Sequence, residues 1–429
     1  MSASNEPVKS ESAKSESGCP FANLMDPHFL GDGFDHDAIT AIRQAGPAVK
    51  IDAPVTGVPF WAVTRQSAVD FVSKNNEIFS SRARSAMPME QDQEMVDNIS
   101  AQMFINLDPP ENLDYRKLIR DHFTPAAIAT YEPKARAYAK RVVDEVIDKG
   151  RCEFVTEVAA ELPLLMILEF FDIPAEDRHK FFKWTNEMMF ADDPDVAGGQ
   201  EVAQQAAADL MVYAYELAQK WRGSETNNVS SQLLNGVING EPVSDETFAW
   251  IVLMLLSAGN ESTRTTISHA MRNLIENPEQ YRYLQENPDK IDGAIYEMLR
   301  FNTPFVCMRR TAMQDITAPE LGNAPIKKGD KVVMYYPGAN FDEEVFPDDP
   351  QSFNIHRADK QDLSRDIRSF GIGRHNCFGM NLAKMEMRVM LEEVLARMDN
   401  PQFDGEVVYL KSNFIQGINS MPITFEKRA

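Results

Sequence analysis

The sequence predicts a large, mainly helical domain with a small β portion. Three observations carry that expectation. The run from Ser244 to Asn277 reads as one helix, roughly 50 Å long at 1.5 Å per residue, which must cross a whole molecule. Amphipathic segments with 3.6-residue apolar spacing precede it, at 132–148 and 201–221. Candidate strands are short and confined to 48–63, 305–336 and the stretch after Val407.

The elements follow in order. Residues 1–19 are rich in Ser, Glu and Lys and lack an apolar run. They are expected to form a disordered tail, neither a signal peptide nor a span, ahead of a single domain at 20–429. Ala48–Ile51 and Phe60–Val63 read as paired strands turned by Pro54, Gly57 and Pro59. Residues 66–74 have helical spacing. In 132–148, Ala135, Ala139, Val142 and Val146 share a face, and Pro133 suits a first turn, where no N–H is needed. Residues 155–171 are apolar throughout, so a buried helix is expected, kinked or divided by Pro163. Ser244 caps the long helix, with Asp245 and Glu246 in its first turn, and Pro278 stops it. Strands between Phe305 and Tyr336 turn at Gly322 and at Lys328-Gly329-Asp330. Residues 337–373 are loop-rich, 378–398 form a final helix, and strands close the chain.

Composition bounds the function. Apolar residues make up 43% and charged residues 25% of 429, which is ordinary globular usage and excludes a disordered, collagenous or coiled-coil chain. Lys plus Arg number 43 against 65 Asp plus Glu, a formal charge of −22. That argues against nucleic acid and against an anionic membrane surface. Cys19, Cys152, Cys307 and Cys377 lie far apart without a CxxC pair, so neither a disulfide framework nor a zinc site is suggested and a cytoplasmic location fits. The longest apolar stretch, 248–256, is too short for a bilayer, so no membrane anchor is expected.

Three motifs carry chemistry. The segment FGIGRHNCFG, Phe370 to Gly379, places Cys377 after a glycine-rich loop and at the opening of a helix. Amides at a helix N-terminus favour thiolate, Gly371 and Gly373 allow sharp turns, and Gly379 leaves room for a flat ligand. A thiolate held this way suits haem iron; the bland alternative is a buried structural cysteine. Glu297 and Arg300 stand at i and i+3 and can pair on one helix face, a common pattern by itself. Midway along the long helix, AGNEST at 258–263 puts a glycine in the helix interior, costing about 1 kcal/mol relative to alanine, beside an acid and two hydroxyls.

With these motifs the sequence resembles the cytochrome P450 family over nearly all of the chain after the tail, which implies the cytochrome P450 fold. The resemblance implies haem b with Cys377 as its axial ligand. It implies that His375, Arg116 and Arg310 bond the haem carboxylates. Asn112 departs from a frequent His, which puts one such contact in doubt. Glu297, Arg300 and Arg357 correspond to a structural triad behind the haem loop. Glu261 and Ser262 correspond to the acid and alcohol that guide protons, with Ser where Thr is commoner; Ser can still donate and accept. Thr263, about 100° further round the helix, is the weaker candidate.

The activity implied is a haem-thiolate monooxygenase that uses O₂ to hydroxylate a hydrophobic small molecule. The segments GNESTR at 259–264, RRTA at 309–312 and NFDE at 340–343 resemble a bacterial branch acting on terpenoids, alkyl chains and steroid side chains. Apolar pocket segments are expected at 87–104, 184–190, 253–256, 305–308 and 414–415. No flavin or NAD motif is present, so electrons are expected from an acidic [2Fe-2S] ferredoxin and its reductase. That ferredoxin would dock on basic residues near the haem elements: Lys117, Arg120, Arg365, Arg368, Arg374, Lys384 and Arg388. A peroxide-driven peroxygenase and a non-catalytic haem-binding sensor are the alternatives.

Overall fold

A computed structural model describes residues 22–26, 30–31, 33–53, 56–189, 193 and 199–428. The expected tail at 1–19 and the turn residue Pro54 lie outside them. The architecture is mainly helical, with strands gathered in one five-stranded sheet, a three-stranded sheet and two small pairs.

The long helix is Asp245–Glu276. Ser244 caps it, its hydroxyl accepting from the Thr247 amide at 3.0 Å, with Asp245 and Glu246 favourably placed in the positive first turn. Pro278 opens the following helix, Pro278–Glu286, where its missing N–H costs nothing. Nearly every face of the long helix is buried, which explains why its sequence lacks a polar stripe. Helices Glu132–Ile147, Glu161–Phe170, Arg178–Met189, Gln200–Trp221, Ile291–Phe301 and Met380–Arg397 are among the others that build the helical mass.

The five-stranded sheet runs in the order Ala48–Ile51, Phe60–Val63, Lys331–Tyr335, Cys307–Ala312, Phe79–Ser80. Phe60–Val63 pairs parallel with Lys331–Tyr335, Phe60 opposite Lys331; the other pairings are antiparallel. The alternation of strand side chains separates two small cores. Phe60, Ala62, Val333 and Tyr335 face one of them, and Trp61, Val63, Val332 and Met334 the other. The large third core lies among the helices.

Some expectations change. The apolar run 155–171 divides before Pro163, not at it. Val155–Ala159 forms a wide π-type turn, and the helix proper begins at Glu161. Pro163 thus sits in a first turn, where a proline breaks no hydrogen bond. The final helix starts at Met380, with Gly379 as its cap, and ends at Arg397. Met398–Phe403 continues as a strand, pairing Phe403 with Ile423. The loop-rich stretch carries a short helix, Tyr336–Asn340, directly after a strand. Among the described residues no helix is long and apolar enough to cross a membrane.

Candidate active site

The cysteine loop is fixed from both sides. Gly371 and Gly373 have φ of 65° and 75°, the left-handed region that glycine adopts freely. A Cβ on Gly373 would stand 3.0 Å from the Ser73 carbonyl, so the loop is pressed against the Gln66–Lys74 helix. The Ser73 hydroxyl donates to the Ile372 carbonyl at 2.8 Å. Across the loop, Arg116 Nη2 donates to the Asn376 carbonyl at 2.6 Å. The Cys377 amide closes the turn onto the Phe370 carbonyl at 2.9 Å.

Cys377 opens onto an internal cavity, not onto outside solvent. Its sulfur is exposed to that cavity yet lies deep within the protein. Burial pushes the thiol pKa up, and the Gly379 amide, Arg116 and the Met380 amide offset part of that rise. These three aim positive charge at the sulfur and favour the thiolate that a metal would stabilise. The cavity volume around it is about 200 Å³. Phe104, Ile167, Met254, Leu255, Phe305 and Met308 give much of the apolar wall.

One end of the cavity is cationic. Arg310 is 2% exposed; its Nη1 donates to the Arg309 carbonyl at 2.7 Å, and its Nε has no hydrogen-bond partner. Among the described residues neither Arg310 nor Arg116 has an ion pair. His375 stands beside them, its Nε2 3.3 Å from the Ser81 hydroxyl. Burial, then Arg310 and Arg116, lowers its pKa to about 2, so it is a neutral donor or acceptor. A buried guanidinium without an acid is costly unless a ligand brings the counter-charge. An aimed sulfur, an apolar slot and unpaired cations with a buried orphan donor fit a haem and its carboxylates. Asn112, one turn before Arg116, is buried, and both of its side-chain polar atoms lack partners.

The expected triad assembles. Glu297 takes Arg300 on both oxygens and Arg357 Nε at 3.3 Å. Arg357 also donates to the Asp348 and Asp349 carbonyls at 2.6 and 2.9 Å. The triad thereby ties the Ile291–Phe301 helix to the 348–357 segment behind the cysteine loop.

Along the long helix, Gly259, Ser262, Thr263 and Thr266 form a stripe facing the cavity, the i, i+3, i+4, i+7 pattern of one helix face. The Ser262 hydroxyl donates to the Ala258 carbonyl at 2.7 Å. Ser262 and Thr263 both reach the cavity, although sequence spacing ranked Thr263 lower. Glu261 points elsewhere. It is fully buried and bonded to Arg264 Nη2 at 2.6 Å, and Arg264 Nη1 donates to Asn186 at 2.8 Å. Burial raises the Glu261 pKa and Arg264 pulls it part way back.

Other expectations are met only in part. Of the pocket segments, 253–256 and 305–308 contribute to the wall, and 87–104 does so through Phe104. Trp184 packs on Phe181 and Tyr213 instead, and Phe414 backs Phe305 with centroids 4.9 Å apart; Phe190 lies outside the described residues. Of the basic cluster, Arg368 is buried against Asp70, Arg388 pairs with Glu132, Arg120 pairs with Asp121, and Lys384 donates to the Tyr296 hydroxyl. Lys117, Arg365 and Arg374 remain exposed. Sequence reasoning missed Glu386, an acid in the cavity wall.

Comparison with known proteins agrees with this geometry. The family model described as Cytochrome P450 matches residues 151–400. The steroid C26-monooxygenase of Mycolicibacterium smegmatis is 34% identical over 398 residues, covering 91% of this chain and 90% of the relative. The linalool 8-monooxygenase of Pseudomonas putida is 30% identical over 407 residues, covering 94% and 98%. The crystal structure of CYP108D1 from Novosphingobium aromaticivorans superposes with a TM-score of 0.84 at 28% identity, covering 94% of this chain and 97% of that one. The chain belongs to the cytochrome P450 family and is a monooxygenase of that family.

Proposed function

We propose that this monooxygenase holds haem b through Cys377 and hydroxylates a terpenoid, an alkyl chain or a steroid side chain, taking electrons from an acidic [2Fe-2S] ferredoxin and its reductase. The observation that carries the reading is that Cys377, the Ser262–Thr263 stripe and the Arg116–Arg310–His375 cluster face one apolar cavity. The names of relatives support the substrate range: steroid C26-monooxygenase, linalool 8-monooxygenase and methyl-branched lipid omega-hydroxylase. When bound, the haem supplies the oxygen chemistry, placing one atom of O₂ in a C–H bond and the other in water.

The chain's own residues have four tasks. Cys377 would hold the iron. Arg116, Arg310 and His375 would bond the haem carboxylates and set the macrocycle's orientation. The apolar wall takes a hydrophobic guest and excludes bulk water. Ser262 Oγ holds a hydroxyl at the cavity surface, and Glu261 supplies it with protons when its carboxyl turns from Arg264.

Three measurements test the reading. Purified holoprotein should give the ferrous–CO spectrum of a thiolate-bound haem, and Cys377→Ala should lose it; retention of that spectrum with full haem content removes the assignment. A haem absorbance screen of terpenoids, alkanes and steroids, followed by product analysis with ferredoxin and reductase, should give a hydroxylated product. Turnover with peroxide alone, equal to that with O₂ and electrons, would favour the peroxygenase alternative.

A further inference from the structure

The Glu297–Arg300–Arg357 triad stands behind the cysteine loop, yet among the described residues none of its three side chains bonds to residues 368–377. The link runs through Asn340, which ends the Tyr336–Asn340 helix and is fully buried. Arg300 Nη1 donates to its backbone carbonyl at 2.9 Å. Its side chain takes hold of the loop. Oδ1 accepts from the Arg368 amide at 2.6 Å, and Nδ2 donates to the Ser369 hydroxyl at 2.9 Å and to the Thr303 hydroxyl at 2.8 Å. Arg368 and Ser369 lead directly into Phe370, whose carbonyl accepts from the Cys377 amide at 2.9 Å.

An amide satisfies all three contacts. The Ser369 hydroxyl donates to the Leu299 carbonyl at 2.7 Å, and the Thr303 hydroxyl donates to the same carbonyl at 3.2 Å. Each hydroxyl has one proton, so each has only acceptor capacity left for its other neighbour. A carboxamide brings two N–H donors and one carbonyl acceptor, which matches that demand. Aspartate brings acceptors alone and buries a charge. Leucine, of similar shape, leaves the buried Arg368 amide without its acceptor.

We propose that Asn340 is a positioning residue for the thiolate: it carries the rigidity of the triad into the first residues of the cysteine loop and so sets where Cys377 stands in the cavity. The inference rests on the haem–Cys377 reading above. The chain of bonds is continuous. Glu297 holds Arg300 on both oxygens, Arg300 holds the Asn340 carbonyl, Asn340 holds Arg368 and Ser369, and Phe370 carries the Cys377 amide. The Arg368 guanidinium is also tied to Asp70 and Gln66, but through a long flexible stem, whereas Asn340 grips the backbone amide itself.

The test uses holoenzyme and two readouts, amide hydrogen exchange and the ferrous–CO spectrum. Asn340→Leu and Asn340→Asp should speed exchange at 368–377 roughly 10-fold relative to the rest of the chain, the effect of about one lost hydrogen bond. Part of the ferrous–CO complex should pass from the thiolate band to that of a neutral cysteine. Ser369→Ala keeps the Arg368 bond and should show a smaller change of both kinds. Ser230→Ala is its control, since the Ser230 hydroxyl is likewise buried on a backbone carbonyl, that of Phe171, at 3.0 Å; it should leave loop exchange and the band as in the parent. Parent-like loop exchange and spectrum in the Asn340 variants, a rise spread evenly over the whole chain, or the same loop change in Ser230→Ala overturns the proposal. Where neither Asn340 variant folds, parent values in Ser369→Ala overturn it. Absence of the thiolate band in the parent instead overturns the haem–Cys377 reading, and the exchange is read independently of that band.

Discussion

Arg300 holds both carboxylate oxygens of Glu297, one turn earlier on the same helix: Nε reaches Oε2 at 2.7 Å and Nη2 reaches Oε1 at 2.8 Å. Neither side chain reaches solvent. The remaining guanidinium donors go to the carbonyls of Asn340, Pro350 and Ser352. Glu297→Gln leaves Arg300 and Arg357 buried without a counter-charge. Breaking such a pair typically costs about 3–5 kcal/mol. Denaturant unfolding should show a loss of that order together with reduced haem content. Arg300→Lys should fail similarly, since an ammonium cannot reproduce the planar fork. A loss under about 1 kcal/mol in Glu297→Gln would contradict the role.

The Ser262–Glu261 route makes a separable prediction. Ser262→Ala should leave haem content and substrate affinity near those of the parent while product per electron falls and peroxide or water rises. Glu261→Gln should do the same more weakly, because the acid acts through the alcohol and already shares its charge with Arg264. Coupling is measured as product against electrons consumed. Full coupling in Ser262→Ala, with uncoupling in Thr263→Ala, would move the alcohol's role to Thr263.

Two groups of buried side chains set opposite pH slopes on stability. Burial, helped by Arg272, lowers the His269 pKa to about 3, and burial, helped by Arg300, lowers that of His36 to about 4. Folded pKa values below the unfolded 6.5 mean that the unfolded chain binds more protons in between. Their contribution is complete above pH 6.5 and is lost as pH falls toward 3. Glu386 is raised from 4.5 to about 8, so its contribution is complete below 4.5 and lost as pH rises through 8. Stability should fall on acidification below pH 6.5. The Glu386→Gln variant should gain on the parent as pH rises from 5 to 8, by at most about 1.4 kcal/mol per pH unit. Parallel stability curves for parent and variant across that window would refute the assignment.

Docking of an acidic ferredoxin rests on fewer charges than the basic cluster in the sequence implied, because Arg368 and Arg388 are committed to Asp70 and Glu132. Lys117, Arg365 and Arg374 remain exposed. Against a whole-chain charge of −22, they act only within a screening length of about 8–10 Å. Added salt, Lys117→Glu and Arg374→Glu should each slow reduction while substrate affinity stays level. Arg388→Glu should instead show as lost stability. Reduction rates indifferent to salt and to both charge reversals would remove this docking face.

The limits of legibility have physical causes. The strands Ala48–Ile51 and Phe60–Val63 were readable because Pro and Gly punctuate them. The cysteine loop was readable because its glycines are required by left-handed backbone. Glu386 was not. Between Met385 and Met387 it resembles a solvated position on an amphipathic helix, and only packing reveals that it is buried while Lys384, Arg388 and Glu392 take the half-exposed face. The strand Met398–Phe403 hid behind Asn400, Pro401 and Gln402, since its partner, Pro422–Lys427, supplies the pairing from the far end of the chain. Glu261 and Ser262 are paired by resemblance to the family's motif, but a helix turns about 100° per residue and sends the two in different directions.

The anchoring of the cysteine loop has a mechanical consequence. Ser73 pins Ile372 from the sheet side and Arg116 pins Asn376 from the helical side, so the loop is a splice between two cores. Neither core can shift against the other without dragging the Cys377 sulfur, so a guest that wedges them apart would move the sulfur without touching it.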